Sequence, residues 1–144
     1  MRDIKFRAWD KKRKRIYEVI HLMRSTFEGI WCIGKGRNII EDKEIHIDIQ
    51  PDKCEVMQFT GLKDSHGKEI YEGDIVSDHI GVGVIEYVEK YAAFRINYQN
   101  MECKWFYDYT LDGERESIEV IGNIYENPEL IREDIICVDQ AQEQ

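Results

Sequence analysis

Between Gln58 and Val76 the sequence QFTGLKDSHGKEIYEGDIV sets three glycines and four acidic residues among apolar runs too short to build a helix. A chain interrupted this often can satisfy its backbone only by reversing direction repeatedly, which is the habit of short antiparallel strands. Thr60-Gly61 is expected to end a strand. Asp64-Ser65-His66-Gly67 reads as a four-residue turn, and Glu72-Gly73-Asp74 as a second turn feeding the strand Ile75-Val76. Gly61, Asp64, Gly67, Gly73 and Asp74 are therefore assigned to turns.

The flanking sequence supports the same class. Ile4, Phe6 and Ala8 alternate with Lys5, Arg7 and Trp9, the two-residue period of a strand with one buried face. After the charged turn Asp10 to Arg15, Ile16 to Ile20 is read as a returning strand, although Ile16, Val19, Ile20 and Met23 would also fit one helical face. Thr26 to Ile33 is a further strand, and Gly34-Lys35-Gly36 its loop. In Glu44 to Ile49 three isoleucines alternate with Glu44, His46 and Asp48, up to the boundary at Pro51. Beyond Val76, strands are expected over Gly81 to Glu89, Ala92 to Tyr98, Cys103 to Tyr109 and Ser117 to Tyr125. Asn127 before Pro128 and Glu129 predicts a capped helix, Pro128 to Asp134, and the polar end from Asp139 should fray.

A chain of 144 residues can bury roughly two-thirds of its unfolded surface unaided. No apolar run approaches the roughly 20 residues needed to span a bilayer, and no basic end followed by an apolar core opens the sequence, so a cytoplasmic protein is expected. Cys32, Cys54, Cys103 and Cys137 are scattered without C-x-x-C spacing and read as reduced packing thiols. The net charge of −9 is unevenly placed: Met1 to Arg24 holds nine Lys/Arg against three Asp/Glu, net +6, leaving 11 against 26, net −15, elsewhere. Such a division suits either a solvated basic hairpin or a basic arm lying on the acidic surface of a second copy.

KFRAWD at Lys5 to Asp10, the Gln58 to Val76 block, and VIGNIYENPEL at Val120 to Leu130 resemble the YopX family, in the family's order and spacing. The resemblance implies a phage or prophage origin, a bacterial host and assembly into a homo-oligomer. It carries no activity, substrate or catalytic residue.

The residues themselves offer little chemistry. Asp64, Glu69, Glu72 and Asp74 crowd together, but a calcium loop begun at Asp64 fails at its third position, His66, and turn-making accounts for these acids. There is no G-x-S-x-G nucleophile elbow, and Gly34-Lys35-Gly36 lacks the Lys-Ser/Thr of a phosphate loop. No catalytic residue, metal or cofactor is assigned. Lys11, Lys12, Arg13, Lys14 and Arg15, with Trp9 and Tyr17 alongside, form the one segment suited to nucleic acid, through cations for phosphate and aromatics for bases.

The expectation is therefore a mainly β protein: an N-terminal β-hairpin region over 1–54, a small SH3-like or partly open β-barrel with a short C-terminal helix over 55–138, and a tail over 139–144. Its function is read as non-catalytic binding or assembly by a homo-oligomer whose partner is a host or phage protein. The alternatives are nucleic-acid binding through Lys11 to Arg15, and an acidic decoy of a host DNA-binding protein. Apolar residues on both faces of the later strands, such as Val84 and Ile85, favour an interface.

Overall fold

The computed structural model describes residues 2–98, 103–105 and 118–131. It divides into two compact units between Phe59 and Thr60, and both are built from antiparallel strands.

In the first unit, β1 (Phe6–Asp10), β2 (Arg15–Ser25), β3 (Gly29–Asn38), β4 (Lys43–Ile49) and the first part of β5 (Cys54–Lys63) lie in the order β4-β3-β2-β1-β5. Ile16 to Met23 is strand, with an irregular step in its pairing to β3 between Val19 and His21. Ala8, Cys32 and Ile49 are buried on one face, and Tyr17, Val19, Ile47, Cys54 and Val56 pack around them. The thiols of Cys32 and Cys54 lie 3.0 Å apart, although β2 and β1 separate their strands in the sheet. That contact requires the sheet to curl over its own apolar face. The short 3-10 turn Pro51–Lys53 joins β4 to β5, so the chain passes directly between strands at opposite sides of the curl.

Gly34-Lys35-Gly36 is not a loop. It lies within β3, and the reversals fall at Thr26 to Glu28 and at Ile39 to Asp42. Ser25 Oγ accepts from the Phe27 and Glu28 N–H groups in the first reversal, and Asp42 adopts a φ of 54° in the second. The glycines serve close approach instead of turning. A Cβ on Gly34 would stand 2.7 Å from Tyr17 Cβ, and one on Gly36 2.8 Å from Ile47 Cγ1. Larger residues there would push the neighbouring strands apart.

In the second unit the end of β5 pairs with β6 (Glu69–Tyr71), and β7 (Asp74–Ser77), β8 (Val82–Val88), β9 (Ala93–Tyr98), β10 (Cys103–Trp105) and β11 (Glu119–Asn123) form a sheet in the order β10-β9-β8-β7-β11. One cluster buries Ile70, Val76, Ile85, Ile96, Tyr98 and Ile118, in which each aliphatic side chain is worth roughly 1.5–3 kcal/mol of transfer free energy. The register pairs Ile75 with Val84 and Val84 with Asn97, placing these buried residues on the opposite face. The ion pair of Glu86 and Arg95 belongs to that face too, with Trp105 against the guanidinium. Both faces of β8 are thus covered along much of its length, while Tyr87 and Ile121 remain exposed.

The mainly β class is as expected, but among the described residues neither sheet closes into a barrel. Gly61 does not end a strand; β5 continues to Lys63 through its φ of 90°. The C-terminal helix is a 3-10 turn, Pro128–Leu130, followed by extended Ile131. Asn127 does not cap it, because its side chain accepts from the Asn123 N–H instead. The expected helix end, the strand beyond Trp105, Cys137 and the tail lie outside the described residues.

Candidate functional site

The basic segment is a turn built on one buried carboxylate. Asp10, at the end of β1, is 1% exposed. Its Oδ1 accepts from the N–H groups of Lys12 (2.9 Å) and Arg13 (3.2 Å), and its Oδ2 from Arg13 Nη1 (2.7 Å). Its carbonyl takes the Lys14 N–H at 2.7 Å, with Lys14 in the left-handed region at φ 55°. Burial alone would raise the Asp10 pKa. The Arg13 guanidinium and the two backbone donors outweigh it and hold the carboxyl below its ordinary value.

This arrangement spends cations that the sequence made available. Arg13 is committed to Asp10, and Lys11 Nζ stands 2.9 Å from Glu55 while its N–H donates to the Lys53 carbonyl. Lys12, Lys14 and Arg15 are exposed and form no ion pair among the described residues. Trp9 pairs with Ile16, whereas Tyr17 pairs with Ala8. Adjacent pairs face opposite ways, so the two aromatics do not share a stacking platform.

The signature turns carry a different device. Asp64 Oδ1 accepts from the N–H groups of His66 and Lys68, both at 2.9 Å, and Oδ2 from the Val120 N–H at 3.0 Å. One side chain thereby holds its own turn and fastens it to β11, 56 positions along the chain. Burial opposes its ionisation, but the three amides prevail and lower its pKa. Asp74, also buried, accepts the Tyr71 N–H at 2.8 Å across the Gly73 turn. Gly67 and Gly73 have φ of 81° and 83°, values that favour glycine. These acids stabilise turns. Among the described residues no three His, Cys, Asp or Glu side chains are gathered as metal ligands.

The surface that periodicity did not single out lies at the far end of the β2–β3 hairpin. His21, Leu22, Met23, Trp31, Ile33 and Asp48 line a groove of about 570 Å³. Around it Met23 is 61% exposed and Phe27, at the hairpin tip, 97%. The available signal was the apolar content of Ile20, Leu22, Met23 and Phe27 on consecutive and alternate positions, more than one buried face requires. Cys32 lines the groove as well and touches Cys54, and burial, with that contact at Cys54, pushes both thiols up.

Comparison with known proteins gives a family and a similar solved structure. The family model described as YopX protein matches residues 5–132. The crystal structure of protein EF1440 from Enterococcus faecalis is similar, with a TM-score of 0.62 at 27% identity, covering 92% of this chain and 100% of that one. No curated protein matches the chain.

Proposed function

The chain belongs to the YopX family, and on that premise we propose that it is a non-catalytic binding or assembly protein that works as a homo-oligomer, encoded by a phage or prophage and acting in the bacterial cytoplasm. The observation that carries this reading is the apolar surface of the first unit, where Leu22, Met23, Phe27 and Ile30 stand 40–97% exposed around the β2–β3 groove. Large exposed apolar side chains at one end of a hairpin are costly to leave in water and are characteristic of interfaces. Charge supports it as well. The first unit carries 13 Lys/Arg against 10 Asp/Glu, and the second 7 against 19, so one copy's first unit and another's second attract.

Light scattering at micromolar concentration tests the oligomer: a monodisperse 17 kDa species would remove it. Affinity capture from prophage-carrying cells, with and without nuclease, tests the partner. Loss of the captured material on nuclease treatment would move the function to nucleic acid through Lys12, Lys14 and Arg15.

A further inference from the structure

β4 presents an edge whose sequence is complementary to itself. Among the described residues it hydrogen-bonds to β3 alone, over seven unbroken positions from Cys32↔Ile49 to Asn38↔Lys43, and β5 pairs with β1 instead of covering it. Every second residue of such a strand turns its N–H and C=O outward, a template for another strand. Its inner face is Ile45, Ile47 and Ile49, opposite Gly36, Gly34 and Cys32; its outer face is exposed Glu44, His46 and Asp48.

We propose that two copies pair β4 antiparallel about Ile47, joining their first-unit sheets; this rests on the self-association reading above and names its surface. A two-fold axis through Ile47 sets Ile45 opposite Ile49, Ile47 opposite its own copy, and His46 opposite Asp48 twice. The inner face then continues apolar, covering Ile45, which is 36% exposed, and each outer His meets a carboxylate. Neighbouring registers fail. Centring on His46 opposes Glu44 to Asp48, centring on Ile45 opposes Lys43 to Ile47, and centring between residues brings isoleucine against the charged face. A five-residue edge buries less than the roughly 1,200 Å² of a stable interface, so micromolar association is expected.

Sedimentation equilibrium and amide hydrogen exchange on the full chain, from about 1 to about 300 µM, test it in that range. Alternate β4 amides of the wild type should gain protection with concentration while β3 amides do not change. H46E, which sets Glu against Asp48, should weaken the dimer about tenfold through two symmetric repulsive pairs, and D48K, which removes the carboxylate opposite His46, should weaken it less. H46E/D48K, which sets Glu against Lys, should recover to within about threefold of wild type. An oligomer whose β4 amides stay unprotected and whose affinity ignores the charge swaps overturns this surface and leaves self-association standing. A monomer throughout the range overturns both.

Discussion

Asp64→Ala removes a buried carboxylate that joins the Asp64 to Gly67 turn to β11. Three backbone donors lose a charged acceptor: His66, Lys68 and Val120. A hydrogen bond to a charged group is worth about 1.5–3 kcal/mol. The His66 and Lys68 amides lie in an exposed turn where water substitutes, so they fall at or below the low end of that range. The Val120 amide, on a half-buried β11 residue packed against the core, costs more. The expected loss is about 3–4 kcal/mol, near 10 °C for a chain of this size. Asp64→Asn keeps one oxygen for two of the amides and should lose about half as much. Urea denaturation followed by tryptophan fluorescence and far-UV circular dichroism measures both. The pH dependence follows from the lowered pKa. The ionised form's contribution is present above the unfolded-state value, near 3.9, and is lost as pH falls through the lower folded value. The gap between wild type and D64A should therefore be full at pH 7 and shrink below about pH 4. A D64A loss under about 1 kcal/mol, or a gap that does not change with acid, would refute the role assigned to this carboxylate.

Three further outcomes are expected. Gly34→Ala should cost about 1–3 kcal/mol through overpacking, because its Cβ would stand 2.7 Å from Tyr17 Cβ; Gly67→Ala meets nothing within 4 Å and should cost only the left-handed backbone strain of about 1 kcal/mol. Thermal melts of the pair check the distinction, and equal small losses would show that β3 and β2 are not so closely apposed. Arg95→Met should cost about 2–3 kcal/mol by stranding Glu86 on a covered face, whereas R95M/E86L should regain most of it; a double-mutant cycle without coupling would contradict the pairing. Iodoacetamide at pH 8 should label exposed Cys103 at least about tenfold faster than Cys32, which is buried with its thiol pushed up. Peptide mapping by mass spectrometry reads the rates, and equal labelling would contradict the buried thiol.

What the sequence alone determined was local. The alternation of Ile45, Ile47 and Ile49 with Glu44, His46 and Asp48 specified a strand and its two faces, because side chains on a pleated backbone alternate. Asp64, Gly67, Gly73 and Asp74 specified turns, because short carboxylates bind their own backbone and glycine accepts positive φ. The family likeness rested on three blocks, Lys5 to Asp10, Gln58 to Val76 and Val120 to Leu130, and the family model matches residues 5–132. Only the tertiary structure decided the rest, since each remaining point depends on partners distant in sequence. Gly34 and Gly36 look like a loop until Tyr17 and Ile47 are seen over them. Arg13 and Lys11 look free for phosphate until Asp10 and Glu55 take them. Asp64 looks like an ordinary turn acid until Val120 reaches it, and β4 looks like any other strand until the sheet order leaves it at an edge. Pairing and register arise from contacts across tens of residues, which local periodicity does not encode.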